Sequence, residues 1–163
     1  MAAGVTYVPL ATTTLNSTSS SVSFTSISGS YTDLVLVIQA ALSSSANDTW
    51  LRFNSDSGTN YSRTKIAADG SSVTTFQASN QNAYYGVGNI NTSWMMSINH
   101  IFNYSNTTMN KSFITRHGST GNETAAGVGL WRSTAAITSI EIAPGTSTFI
   151  SGSTFTLYGI AAA

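Results

Sequence analysis

Residues 31–39 read YTDLVLVIQ. The segment is a near-continuous apolar run rich in β-branched side chains, and it predicts a central strand buried on both faces. Working outward, its neighbours show the alternation of half-buried strands. In 21–26 (SVSFTS), Val22 and Phe24 point one way and the serines and Thr25 the other. In 49–54 (TWLRFN), Leu51 and Phe53 point inward and Arg52 outward. A first strand is expected over 5–10 (VTYVPL), with Pro9 pushing it to a sheet edge.

The same style continues to the end of the chain. Strands are expected over 61–67, 74–78, 83–89, 94–104, 111–117, 125–131, 137–143 and 154–160, the last with Phe155 and Leu157 on one face. No window carries helical apolar spacing over three turns, and no strand–helix alternation is present. Short strands recurring between Gly/Ser/Asn turns indicate an all-β sandwich or barrel filling residues 1–163 as a single domain, and an antiparallel sandwich is expected.

Composition narrows the function classes. Only 7% of the 163 residues are charged, against about 25% in ordinary globular proteins. Six basic residues balance six acidic ones. The cations Arg52, Arg63, Lys65, Lys111, Arg116 and Arg132 are scattered, so the basic patch that nucleic acid or an anionic membrane surface requires is missing. With no cysteine there is no disulfide or thiolate chemistry. The first nine residues lack the basic and apolar regions of a signal peptide, and synthesis in a cytoplasm is expected. Low net charge weakens repulsion between copies, so association is expected.

Catalytic motifs are sparse. His100 lies in an apolar strand, His117 precedes Gly118, and no G-x-S-x-G elbow is present. Glycoside cleavage needs two acids across a groove, and five of the six acids (Asp33, Asp48, Asp56, Asp69, Glu123, Glu141) fall at turns or strand ends, where acids commonly cap the backbone. Residues 56–60 (DSGTN) faintly resemble a Ca²⁺ loop but lack its distal Glu, which favours a plain β-turn. No cofactor or metal is expected and no enzyme activity. Sequons begin at Asn16, Asn47, Asn60, Asn91, Asn103, Asn106, Asn110 and Asn122, as chance produces in a chain this rich in Asn, Ser and Thr.

The aromatics supply the candidate contacts. Trp50 and Trp94 sit in apolar strands and are expected in the core. Trp131 with Arg132 lies at a strand end and is expected to be exposed. Tyr84 and Tyr85 must face opposite sides of one strand, so one of them is expected outside.

Three segments carry a resemblance: 26–37 (SISGSYTDLVLV), 51–61 (LRFNSDSGTNY) and 130–160 (LWRSTAAITSIEIAPGTSTFISGSTFTLYGI), joined by 101–111 (IFNYSNTTMNK). Together they resemble a family of small tailed-bacteriophage virion proteins over nearly the whole chain. The resemblance implies a non-enzymatic particle component with no catalytic residues and, by analogy with capsid-associated proteins, a jelly-roll-like form of the antiparallel β-sandwich. It would be a capsid decoration (cement) protein on the virion surface, a homo-oligomer with a trimer favoured, bound to the major capsid protein. The alternative is a tail-fibre module that recognises host glycan. Under the first reading the chain ends, with Val5, Tyr7 and Ile160 and the alanines 161–163, are candidate docking elements.

Overall fold

A computed structural model describes residues 6–44, 49–88, 92–120 and 123–161. Twelve strands are found among them: β1 (Tyr7–Thr14), β2 (Val22–Phe24), β3 (Asp33–Ala40), β4 (Thr49–Phe53), β5 (Tyr61–Ala68), β6 (Val73–Gln81), β7 (Tyr84–Gly88), β8 (Met95–Ile101), β9 (Lys111–Ser119), β10 (Thr124–Trp131), β11 (Ile140–Ala143) and β12 (Thr154–Ile160). None of the described residues is helical. The strands form an antiparallel, jelly-roll-like β-sandwich. One sheet has eight strands in the order β1-β12-β3-β8-β9-β10-β5-β6, and the other has four, β2-β11-β4-β7.

The smaller sheet covers only the inner face of the larger one. From β3, Leu34, Leu36, Ile38 and Ala40 point inward and are fully buried. They meet Leu51 and Phe53 of β4, Ile140 and Ile142 of β11, and Phe155 and Leu157 of β12 in one apolar core. At the β5–β10 end an aromatic cluster replaces the aliphatics. Phe53 packs edge-on to Phe113 at 5.3 Å and against Trp131 at 5.5 Å, while Tyr84 packs edge-on to Phe113 at 4.6 Å. The two tyrosine hydroxyls buried in this cluster are both paired, as interior polar atoms usually are: Tyr61 Oη accepts from the Phe53 amide at 2.9 Å, and Tyr84 Oη pairs with Thr115 Oγ1 at 2.9 Å.

Local chemistry sets the strand ends. Between β4 and β5, Asn54 and Ser55 both have positive φ and the Asp56 amide closes onto the Phe53 carbonyl at 2.9 Å, the geometry of a type I′ turn. Gly70, at φ 91°, turns the β5–β6 hairpin where a side chain would be strained. Pro9 lies on the outermost strand beside a bulge, as its missing amide hydrogen requires.

The strands differ from the sequence expectation in several places, among them the strand expected over 94–104, which ends at Ile101. The first strand runs on through Ala11–Thr14, where Thr12 and Thr14 pair hydroxyl to hydroxyl with Thr156 and Thr154. Residues 137–139 are not strand: the Ile137 amide binds the Tyr104 carbonyl instead. The run 31–39 is an inner strand of the large sheet, between β12 and β8, but its second face is covered only in part. Val35 is buried, Val37 half-buried and Gln39 exposed.

Candidate functional site: the uncovered face of the large sheet

No second layer among the described residues covers the outer face of the eight-stranded sheet, although Val35 is buried between its neighbours there, and the middle of that face is largely apolar. Strand pairing arranges it in rows. One row runs Tyr158, Val35, His100, Ile114, Val128, Thr64, Gln77 from β12 to β6. The adjacent row runs Thr156, Val37, Ile98, Arg116, Ala126, Ile66, Thr75 across the same strands. Among the described residues nine large hydrophobic side chains are exposed, and six of them (Tyr7, Ile66, Val73, Met96, Ile114, Val128) lie on this face, from 42% exposed at Ile114 to 68% at Val73. Soluble monomers seldom leave so many on one surface.

The rows line a groove of about 470 Å³. Beside it, Ser62, Arg63, Thr64, Gln77 and Ser79 line a more polar groove of about 700 Å³. Charge on the face is sparse. His100 Nε2 pairs with Asp33 Oδ2 at 2.9 Å, and its ring lies over Phe102 at 4.5 Å. Asp33 Oδ1 also accepts from the Asn103 amide at 2.7 Å. Arg116 stands between Ile98 and Ala126. The surface can therefore bury apolar area against a partner and has little with which to polarise or protonate a substrate.

The residues singled out from sequence fall elsewhere. Trp131 is not an exposed contact: it is 2% exposed and part of the aromatic core. Its inward neighbours on β10 are Ala125, Gly127 and Gly129, so the inward face looked the weaker one in sequence. Arg132 is a brace. Its guanidinium donates to Ser62 Oγ and the Thr59 carbonyl, both at 2.5 Å, and to Asn80 Oδ1 at 3.0 Å. Tyr84 is buried, while Tyr85 faces outward, half-buried, donating to Asn82 Oδ1 at 2.8 Å. Trp94 is 38% exposed rather than in the core, and Trp50 is half-buried, with the Arg52 guanidinium 4.3 Å from its ring centre.

The first and last described residues are zipped into the sheet. Tyr7 pairs with Ile160 across the β1–β12 ladder, and Ala161 N donates to the Thr6 carbonyl at 3.0 Å. Tyr7 projects onto the outer face, packed edge-on to Tyr158 at 6.1 Å. Val5, Asp48, the alanines at 162 and 163, and the sequons at Asn47, Asn91 and Asn122 lie outside the described residues.

The other chemical candidates are structural in their geometry. The Asp56 carboxylate accepts from the Gly58 amide at 2.8 Å, Asn60 Nδ2 at 2.8 Å and Trp131 Nε1 at 2.6 Å. Burial works to raise this carboxyl, but the three hydrogen bonds and the charge of Arg52 outweigh it and hold the pKa below the usual value. Its oxygens are thus engaged by the turn and the indole. Asp69 and Glu123 both border a small notch of about 90 Å³. Asp69 accepts from the Ser71 and Ser72 amides, which hold its pKa far below the ordinary range. Glu123 Oε1 accepts from His117 Nε2 at 2.8 Å and Lys65 Nζ at 3.3 Å. Among the described residues no cluster of three or more metal-binding side chains occurs. No helix of the described chain is long and apolar enough to cross a membrane.

The fold and this face define an antiparallel β-sandwich with one uncovered apolar sheet. No protein-family model matches the sequence, and no curated protein does. Among solved structures, galectin LEC-6 of Caenorhabditis elegans is similar over 93% of this chain and 96% of its own, at 9% identity and a TM-score of 0.39. The PL-14 alginate lyase of Aplysia kurodai is similar over 82% of this chain and 70% of its own, at 8% identity and a TM-score of 0.31. Similarity this low carries no functional argument.

Proposed function

We propose that the chain is a non-enzymatic virion structural protein, a capsid decoration protein made in the host cytoplasm and seated on the outer surface of a phage particle. One observation carries this reading: six exposed large apolar side chains share one sheet face that has little charge. Such a surface suits packing between protein subunits, where affinity comes from apolar area rather than from steering by charge. The sparse titratable groups near it are tied to protein partners and leave no assembled nucleophile and base.

The tail-fibre alternative relied on aromatics stacking against host glycan. Its leading residue, Trp131, is interior, and Tyr7 is the one exposed aromatic among the residues lining the apolar groove. The direct test adds purified protein to particles of the encoding phage that lack it. A decoration protein binds the shell and raises the temperature at which the capsid disrupts. No binding to the shell, with binding to host glycan on an array, would reverse the order of the two readings.

A further inference from the structure

We infer that the uncovered face of the eight-stranded sheet is the seat of a second copy of this chain, two copies stacking their large sheets face to face as a two-fold pair. This deepens the structural role proposed above and rests on it.

Area supports the pairing. Strands about 4.8 Å apart, with about 3.3 Å per residue, give eight strands of this length a face on the order of 900 Å². A standard stable interface covers about 800 Å² on each partner. The exposed apolar residues span that whole face, from Tyr7 on β1 to Val73 on β6, and exceed what the groove alone would present to a small ligand. An occupant must therefore be broad as well as apolar.

Hydrogen bonding and charge point the same way. The face presents side chains, because the backbone groups of its inner strands are spent in the ladders. An extended peptide laid across it would bury its own amides against Ile66, Ile98, Ile114 and Val128 with few partners, at a cost for each. A facing sheet brings its backbone already paired, and its side chains interdigitate into the groove as they do between the layers of a sandwich. The chain has no net charge, and among the described residues the charged groups at the face are few: Arg116, the His100–Asp33 pair, Lys65 paired with Glu123, and at the border of the second groove Arg63 and Arg132, so two copies approach without large repulsion. A patch that meets itself is satisfied by two copies. The pair therefore stands in place of the trimer that the resemblance implied.

The test is sedimentation velocity of the full chain over a micromolar concentration series. Wild type is expected to sediment as a dimer. Ile114→Asp and Val128→Asp each bring a carboxylate to an exposed position at the centre of the face and are expected to weaken dimerisation about a hundredfold. Thr107→Asp, at an exposed position in the segment between β8 and β9, should leave it unchanged. Thermal melts of each variant check folding. A second readout does not depend on a disruptive change. Val128→Cys, in a chain with no cysteine of its own, should react with a thiol reagent more slowly as protein concentration rises. A monomer across the series, a trimer, or a dimer indifferent to both Asp variants would overturn the inference. A monomer that still binds the capsid would overturn the pairing alone, and a dimer that does not bind the capsid would overturn the virion role alone.

Discussion

The indole nitrogen of Trp131 donates to the Asp56 carboxylate at 2.6 Å, joining the end of β10 to the turn that leads into β5. The acid also anchors the turn through Gly58 and Asn60, while the ring packs against Phe53 and Tyr61. One bond therefore links the aromatic core to a surface loop. Asp56→Asn and Trp131→Phe are each expected to lower stability. The first loses charge-assisted hydrogen bonds worth about 1.5–3 kcal/mol in total effect. A double-mutant cycle followed by urea unfolding should return a favourable coupling between them, and strict additivity would show that the bond contributes nothing.

The same carboxylate predicts a pH response. Its pKa is lowered in the folded chain, so between the folded and unfolded values the unfolded state binds more protons. The stabilisation is complete above the unfolded value near 3.8 and is lost as pH falls through the folded value. Asp69 acts in the same direction. Urea midpoints measured downward from pH 6 should fall in acid, and the fall should be shallower in Asp56→Asn.

Lys111 should act at the other end of the scale. Its side chain is buried, donating to the Met109 carbonyl at 2.8 Å and the Thr134 carbonyl at 3.1 Å, and burial lowers its pKa. A cation with a depressed folded pKa makes the unfolded state the better proton binder, so its contribution to stability rises with pH through that window toward the ordinary lysine value. Lys111→Met should flatten the alkaline limb of the stability profile, and an unchanged limb would remove Lys111 as its source.

Gly129 predicts a packing failure. A Cβ added there would lie 2.1 Å from Phe113 Cε2, too close to accommodate without moving the ring. Gly129→Ala is expected to cost about 1–3 kcal/mol, seen as a lower melting temperature. Gly118→Ala, where the nearest atom would be Thr124 Cγ2 at 3.8 Å, should cost less.

Much of this layout was legible because it depends on local pattern. The alternation in Val22–Phe24 and Thr49–Phe53 placed their apolar sides correctly, and Pro9 announced its edge strand. The outer face escaped because alternation assumes that one side of a strand is polar. On β8, Met96 and Ile98 are apolar on the outside while Met95 and Ile101 are buried inside, so Trp94 at its start looked like core. On β10 the signal was inverted. Inward Gly127 and Gly129 make room for Tyr84 and Phe113, while outward Val128 is the larger apolar residue. The clue available in sequence was that several strands, β3, β5, β8, β9 and β10 among them, carry isoleucine, valine or methionine at positions out of phase with their core side. The Asp56–Trp131 bond and the His100–Asp33 pair join residues far apart in sequence, and no local motif marks them.

The central claim is that this apolar sheet face is an assembly surface of a virion shell. A cryo-electron-microscopy reconstruction of the phage particle tests it most directly. The account predicts density for the sandwich on the outer capsid surface, with the face bearing Ile66, Ile114 and Val128 occluded by a neighbouring subunit. Density confined to the tail tip, or that face open to solvent in every copy, would contradict it.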